Sequence, residues 1–136
     1  MNKPILLPTR VVSEETGTLL ALEIPDELEF TTRRIFSISG VEPGESRGHH
    51  AHRQCGQILT CVSGSLEVKV DDTNQGWTYL LNHQSQSLYI PAGLWGIQTY
   101  LEPATVLVVL ASDHYDESDY FRDRTAYDSW VLAGSK

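Results

Sequence analysis

The sequence contains no run of about 18 apolar residues, which is the length that a membrane-spanning helix needs. Its first residues also lack the features of a signal peptide, because no small-residue cleavage site follows the short apolar run at 5–7. We therefore expect a cytoplasmic protein that has no membrane partner.

An excess of positive charge is also absent. The 136 residues include 18 acidic and 10 basic side chains, excluding histidine, for a formal net charge of −8. This balance argues against general nucleic-acid binding, so no nucleic-acid partner is expected. An anionic small molecule would need a local cluster of positive charge, and the candidates for it are Arg33, Arg34, Arg47 and Arg53.

Cysteine is scarce. Cys55 and Cys61 are the two cysteines of the chain. Two residues six positions apart on one strand lie about 20 Å from each other, which is too far for a disulfide. Unless a turn falls between them, both are expected to be free thiols, as is typical of a reducing compartment.

Long amphipathic helices are missing, and short strand patterns take their place. Strands are predicted at 19–24, 34–39, 57–62, 65–70, 76–81, 87–90, 96–100 and 105–111. Gly64 is interpreted as a hairpin turn between two of them. The tail 116–130 is polar and aromatic and fits one short helix. The pattern predicts a single all-β domain over residues 1–136, a sandwich or jelly-roll barrel with a short C-terminal helical tail.

The spacing of two histidines narrows this fold class. Gly44 is followed after five residues by His50-Ala-His52, after four more by Gln57 and after six more by Gly64. This spacing resembles the first cupin motif, which normally supplies two His and one Glu to a metal inside a small β-barrel. The sequence therefore predicts a cupin barrel in which Gln57 stands in the position of the Glu.

The metal site of such a barrel is incomplete here. The second cupin motif usually reads Pro-x-Gly-x-x-His, but this chain ends it with Gly96, which has no side chain. Because Gln57 is a weak ligand, two imidazoles alone would hold a first-row metal loosely. A ligand from elsewhere, such as His83 or His114, is left open. We expect no metal and no other cofactor.

Proton transfer suits the histidine pair better. His50 and His52 are two residues apart, so both point to the same side of a strand, and imidazoles titrate near neutral pH. His49 has the opposite parity and is expected to face outward. Arg47 also faces the other side on a regular strand, although a bend at Gly48 would turn its guanidinium inward to hold an oxyanion or a phosphate.

Four longer stretches of the chain resemble one known family. They are RGHHAHR (47–53), QILTCVSGSLEVKVDD (57–72), LYIPAGLWG (88–96) and VLVVLASDHYDESDYFRD (106–123). These stretches resemble the WxcM-like cupins, the nucleotide-sugar 3,4-ketoisomerases. The resemblance implies a homodimeric isomerase that moves the keto group of a dTDP-4-keto-6-deoxyhexose, such as dTDP-4-keto-6-deoxyglucose, from carbon 4 to carbon 3. Its product would serve the synthesis of deoxyaminosugars for surface polysaccharide such as lipopolysaccharide.

The family's active-site residues fall on three positions of this sequence. The paired histidines fall on His50 and His52, and the preceding arginine falls on Arg47. We expect His50 to be the main base. His52 would donate to the enediolate oxygen or carry the second proton, and Arg47 would anchor an oxygen of the sugar or the diphosphate.

Departures from the family pattern leave two alternatives open. Phe36 and Ser37 stand where a tyrosine is common, Gly96 where many members have histidine, and His114 where a tyrosine is familiar. These changes leave the histidine pair intact but permit a non-catalytic nucleotide-sugar-binding cupin. A metal-dependent cupin enzyme is the other alternative.

Substrate-binding side chains are expected around this pair. The sequence candidates are Arg34, Arg53, Gln57, Tyr89 and Trp95. The arginines would reach the diphosphate, and the aromatic rings would form a platform for the nucleotide. The acidic residues Asp116, Glu117 and Asp119 are expected to form a solvated turn that caps a short helix near Tyr120.

Overall fold

The computed structural model describes residues 2–84 and 86–134. Within these residues the strands are β1 Ile5–Leu7, β2 Thr9–Glu14, β3 Gly17–Leu22, β4 Arg34–Ile38, β5 Ser46–His52, β6 Gln57–Ser63, β7 Ser65–Asp71, β8 Gly76–Asn82, β9 Ser87–Ile90, β10 Trp95–Tyr100, β11 Val106–Ala111 and β12 Tyr120–Phe121. Two 3₁₀ turns lie at Asp26–Leu28 and Glu117–Asp119, and helix α1 spans Arg124–Leu132. The predicted all-β fold with a short C-terminal helix is confirmed.

Two five-stranded antiparallel sheets form the barrel. One has the strand order β1-β9-β6-β11-β4 and the other the order β12-β5-β10-β7-β8, while β2 and β3 pair as a separate hairpin. Side chains from both sheets share one apolar core, in which Leu59 and Leu107 of the first sheet meet Leu66 and Val68 of the second. The site described below occupies the space between the same two sheets.

Alternation along β7 explains why the strand lies where it does. Leu66, Val68 and Val70 are almost completely buried, whereas the residues between them are half-buried or exposed. A period of two is what a strand with one face on a core requires. The sequence pattern at 65–70 predicted this strand correctly.

The connection between β6 and β7 differs from the predicted hairpin. The two strands lie in different sheets and do not pair, so Gly64 turns the chain from one sheet to the other. Its φ of +72° is in the region that favours glycine, and a Cβ there would lie 2.6 Å from the Cα of Thr105. The turn signal was correct, but the pairing inferred from it was wrong.

Helix α1 closes the outside of the second sheet. The Asp123 side chain accepts a hydrogen bond from the backbone N–H of Ala126 and caps its first turn. Tyr127 is completely buried against Ala51, Trp95 and Phe121. The helix therefore fixes the edge strand β12 and the preceding loop against β5.

Two further observations bear on the sequence analysis. Cys55 and Cys61 are both buried free thiols, as expected. Among the residues that the structure describes, no helix is long and apolar enough to cross a membrane.

Candidate active site

An irregularity in β5 determines which side chains face the barrel interior. Along the β5–β10 pair, His50 is opposite Gly96 and Gly48 is opposite Ile97, so His49 is an extra residue in β5. Gly48 has φ +93° and His49 has φ +56°, which is typical of a β-bulge. The bulge restores the parity of Arg47, which consequently faces the same cavity as His50.

Glycine is required at the centre of this bulge. A Cβ on Gly48 would lie 2.8 Å from Oε1 of Gln98 and 2.9 Å from the carbonyl oxygen of Gly96. The structure therefore contains the bend at Gly48 that an inward-facing Arg47 requires. His49 is exposed, as expected, but it also lines the cavity mouth, where its Nε2 is 2.8 Å from the hydroxyl of Ser46.

The main cavity of the barrel has a volume of about 410 Å³ and is open to solvent. Its floor is apolar and is formed by Leu59, Leu107 and Val109. Its polar lining combines three arginines, two histidines, two amides and two phenols: Arg34, Arg47, Arg122, His49, His50, Gln57, Gln98, Tyr115 and Tyr120. A concave cavity in which polar side chains converge above an apolar floor is typical of a small-molecule site.

A smaller inner cavity lies behind His50. Its lining includes His50, His52, Gln57 and Gln98, and its volume of about 10 Å³ is close to that of one water molecule. His52 lines this inner cavity and not the main one. The two imidazoles thus occupy successive depths of the site, with ring centroids 5.0 Å apart and ring planes at 87°.

Asp119 holds the inner imidazole. Its Oδ2 lies 3.1 Å from Nδ1 of His52, and its oxygens also accept the backbone N–H groups of Gln54 and Cys55. A carboxylate only accepts hydrogen bonds, so His52 donates the Nδ1 proton and its Nε2 carries the lone pair. That Nε2 is buried and has no partner among the described residues.

Both imidazoles are electrostatically biased toward the neutral form. Burial is the main cause that lowers the pKa of His50, and with the neighbouring His52 it brings this pKa to about 4. Burial also lowers the pKa of His52, although the hydrogen bond that His52 donates to Asp119 opposes that effect. Near neutral pH both rings are therefore able to accept a proton.

The expectation for the acidic turn was partly wrong. Asp116 does cap the short turn, because its side chain accepts a hydrogen bond from the backbone N–H of Ser118. Glu117 is exposed and forms an ion pair with Arg122. Asp119, however, is only 13 % exposed and belongs to the site rather than to a solvated turn. The tertiary contact with β5, which joins residues 67 positions apart, is the reason.

Tyr120 and Arg122 form one wall of the site, and the sequence analysis did not single them out. The Tyr120 ring lies 4.3 Å from the ring of His52 and 5.2 Å from that of His50, centroid to centroid. The guanidinium of Arg122 stacks on Tyr120 at 4.1 Å. Because β12 has two residues, no periodic pattern marks it. The family-like stretch 106–123 was the available signal.

Arg34 lies where the sequence placed it. Its guanidinium is 5.0 Å from the ring of Phe36 and 5.6 Å from that of Tyr115, and its Nε is buried without a partner among the described residues. With Arg47 it makes the cavity locally positive in an acidic chain, whereas the charge of Arg122 is offset by Glu117. Such a cavity suits an anionic ligand.

Gln57 lines both cavities, but the structure places three other predicted binding residues elsewhere. Arg53 donates to the carbonyl oxygen of Ser118 and stacks on Phe121 at 3.8 Å. Tyr89 contacts the ring of Phe30 on the outer face of its sheet, because Leu88 and Ile90 take the inward positions. Neither residue lines either cavity.

Trp95 is the third of these residues. It packs against Tyr127 under helix α1, with ring centroids 5.4 Å apart, because the next residue, Gly96, takes the inward position of β10. The proposed site therefore does not include Arg53, Tyr89 or Trp95.

One group of potential metal ligands occurs among the described residues. Ligand atoms of His52, Cys55 and Asp119 lie within 4.8 Å of one another. The Asp119 oxygens are already occupied by N–H donors, which makes this set a poor fit for a cation. His83 and His114 do not line the cavity.

Known proteins resemble the chain over most of its length. The TDP-4-oxo-6-deoxy-α-D-glucose-3,4-oxoisomerase of Aneurinibacillus thermoaerophilus is 32% identical over 120 residues, which cover 88% of this chain and 86% of that protein. The crystal structure of the 3,4-ketoisomerase QdtA of Thermoanaerobacterium thermosaccharolyticum in complex with TDP has a TM-score of 0.86 and 28% identity, covering 96% of each chain. A 3,4-ketoisomerase of Helicobacter canadensis also has a TM-score of 0.86, with 30% identity over 97% of this chain and 99% of that one.

The family comparison agrees with these relatives. A sequence model described as "FdtA: WxcM-like, C-terminal" matches residues 3–131. This span includes both sheets, the histidine pair and most of helix α1. The chain belongs to the FdtA family of WxcM-like proteins.

Proposed function

We propose that the chain is a nucleotide-sugar 3,4-ketoisomerase that acts on a dTDP-4-keto-6-deoxyhexose. The observation that carries the proposal is the edge-to-face pair His50 and His52, in which His50 lines a cavity together with three arginines and His52 lies behind it. The names of the relatives support the reaction class. QdtA has also been crystallised, as a histidine-to-asparagine variant, with TDP-4-keto-6-deoxyglucose, which supports the substrate class.

The cavity suggests how such a substrate lies. The diphosphate is placed near Arg34 and Arg47, whose guanidinium groups can bind phosphate oxygens in a bidentate manner. Arg122 lines the same cavity but already forms a bidentate pair with Glu117. The hexose then extends toward His50, with Gln57 beside it. The apolar floor excludes water from the reacting carbons, which strengthens every electrostatic contact there.

The reaction itself is an exchange of protons. His50 removes the proton from carbon 3, and the electron pair of the C–H bond forms the enediolate while the carbon-4 carbonyl oxygen becomes negative. The negative carbon-4 oxygen takes up a proton, and the carbon-3 hydroxyl gives one up. A proton then returns to carbon 4, so that carbon 3 carries the ketone and carbon 4 the hydroxyl. Substrate and product are isomers, so the proposed chemistry needs no redox cofactor. General base catalysis of this kind is worth about 10²- to 10⁴-fold in rate.

The inner imidazole supplies the second half of the proton exchange. His52 and His50 share the inner cavity, which has room for about one bridging water. When a proton reaches His52, the Asp119 carboxylate stabilises the imidazolium across the 3.1 Å contact. We therefore assign His50 to the abstraction and the His52–Asp119 pair to relaying the proton. Arg47 is assigned to anchoring an oxygen of the sugar or the diphosphate.

A solvent-exchange assay tests the proposal. The purified protein is incubated with dTDP-4-keto-6-deoxyglucose in deuterium oxide, and NMR follows hydrogen at carbons 3 and 4. We expect loss of the carbon-3 proton signal and a product that carries deuterium at carbon 4. Binding of the nucleotide sugar without hydrogen exchange would favour the alternative, a non-catalytic nucleotide-sugar-binding cupin.

Metal independence is tested separately. Activity is expected to survive dialysis against a chelator, and elemental analysis should find no stoichiometric metal in the active protein. Loss of exchange on chelation that zinc or iron restores would favour the metal-dependent alternative.

The same family resemblance leads us to propose a cytoplasmic homodimer that serves surface-polysaccharide synthesis. Large exposed apolar side chains support the dimer: Ile5 is 43 %, Leu19 is 57 % and Ile35 is 67 % exposed. Exposed apolar side chains of this size are candidates for burial against a partner. The edge strands β1 and β4 carry two of the three residues.

A further inference from the structure

Gln98 has a side chain whose position the steps above do not use. It is 8 % exposed and lines both the main and the inner cavity, beside His50. Within residues 2–84 and 86–134, no group hydrogen-bonds to its side-chain amide. Its amide atoms are not among the fully buried polar atoms that lack a partner, so they face the cavity and are available to a ligand.

Glycine at two positions leaves room for the side chain of Gln98. A Cβ on Gly48 would lie 2.8 Å from Oε1 of Gln98, and a Cβ on Gly96 would lie 3.4 Å from its Nε2. The amide therefore lies across β5 and β10 at the level of His50, which is paired with Gly96. Larger residues at either position would displace it from this place.

We propose that Gln98 is a further catalytic residue, whose Nε2–H donates to the enediolate oxygen while Oε1 accepts from the neighbouring hydroxyl. This inference rests on the proposed ketoisomerase function. After the carbon-3 proton has moved to His50, negative charge resides on one oxygen while the adjacent oxygen keeps its proton. An amide presents one donor and one acceptor to such a pair, and it forms no bond and carries no proton itself.

The amide of Gln98 carries no net charge, which suits a group that donates to an enediolate oxygen. A fixed donor in a water-poor site stabilises charge that develops in the transition state, and loss of one such donor lowers kcat by about 10²- to 10³-fold. A carboxylate at the same position would instead repel the enediolate. The family-like histidine pair moves the proton, and Gln98 stabilises the charge that this movement creates.

The first test replaces the amide by an apolar side chain of similar size. Gln98→Leu is expected to lower kcat by about 10²-fold and to leave KM and TDP binding nearly unchanged. Its melting temperature should change little, because no hydrogen bond between the amide and the described residues is lost. Gln75→Leu, on the exposed turn between β7 and β8, is the control and should retain full activity.

A second variant gives a readout that a merely structural role would not move. Gln98→Glu is expected to be nearly inactive at neutral pH, where the carboxylate repels the enediolate. Its kcat relative to wild type should rise as the pH falls, because a protonated carboxyl can donate a hydrogen bond. A ratio that does not change with pH overturns the inference.

The outcomes separate this inference from the proposed function. If the wild type exchanges carbon-3 hydrogen and Gln98→Leu exchanges it equally fast, the role of Gln98 is overturned and the enzyme remains. If Gln98→Leu loses TDP binding and melts earlier, its role is structural, which also overturns the inference. A wild type that exchanges no hydrogen overturns the proposed function itself.

Discussion

Two imidazoles of one strand lie in different surroundings. His50 faces the main cavity, pairs with no carboxylate among the described residues and has a pKa lowered to about 4. His52 is 6 % exposed and donates to Asp119. The difference is consistent with the separate tasks that we propose for them, because a ring without a counterion takes a proton only transiently, whereas a ring beside a carboxylate can hold one.

Replacing the outer imidazole tests its role as the base. His50→Asn is expected to reduce the isomerisation rate by about 10²- to 10⁴-fold while TDP still binds, because the arginines remain. Isothermal titration and a progress curve measure the two effects. His83→Asn, in the turn after β8, serves as the control. A His50→Asn variant with the wild-type rate would contradict the assignment.

The pH dependence follows from the lowered pKa of His50. The base must be neutral, and a folded-state pKa of about 4 instead of 6.5 keeps it neutral well below pH 6. We therefore expect kcat/KM to hold as the pH falls through 6.5 and to decline only as it approaches about 4. Initial rates from pH 4 to 8, with circular dichroism to check folding, measure this. A midpoint near pH 6.5 would show that burial does not lower the pKa of the catalytic base.

Asp119 offers a third test at the residue scale. In Asp119→Asn the carboxylate that raises the pKa of His52 is lost, so burial lowers this pKa further and the imidazolium becomes less stable. We expect kcat to fall by about 10²-fold with little change in TDP binding. Asp116→Asn, which affects the cap of the 3₁₀ turn, should keep its activity. Equal effects of the two changes would argue for a structural role.

At the scale of elements, the bulge of β5 connects sequence to chemistry. One extra residue places Arg47 and His50, which are three positions apart, on the same side of the strand. The sequence could name the condition, a bend at Gly48, but not decide it, because a bulge depends on the register of two strands. The same limit explains β6 and β7, where Gly64 marked a turn without revealing that the strands join different sheets.

The bulge makes a specific stability prediction. Gly48→Ala places a Cβ within 2.9 Å of Gln98 and Gly96 and also disfavours φ +93°, so we expect a loss of about 1–3 kcal/mol in unfolding free energy. Gly44→Ala is a matched control, because its φ is +90° and nothing lies within 4 Å of the new Cβ. Urea denaturation should show the smaller loss for the control. Equal losses would mean that backbone strain alone matters.

At the scale of the whole molecule, composition and spacing carried the fold further than the site. Period-two alternation at 65–70 and the spacing of His50, His52, Gln57 and Gly64 led to the correct all-β fold. The sequence did not predict that Asp119, Tyr120 and Arg122 belong to the site, because a tertiary contact brings them there. Trp95 was misplaced because parity could not be followed across the turn at 91–93.

Assembly gives the prediction that belongs to the whole molecule. We expect the protein to be a dimer in solution, and Ile35→Glu to convert it to a monomer, because a charge is costly in an apolar interface. Light scattering after size-exclusion chromatography measures the mass. Leu80→Glu, at a side chain 60 % exposed on β8 of the other sheet, is the matched control. A dimeric Ile35→Glu variant or a monomeric wild type would contradict the proposal that Ile35 lies in a dimer interface.

Helix α1 is attached to the barrel from outside, through Tyr127 and through two hydrogen bonds from Arg124 to Asp71. It anchors the loop that delivers Asp119 to His52 across 67 positions of the chain. During synthesis the acid–base partner therefore arrives last, after every strand of the two sheets except β12 has been made. Proteolytic removal of helix α1 would therefore abolish the proposed activity while most of the barrel remains folded.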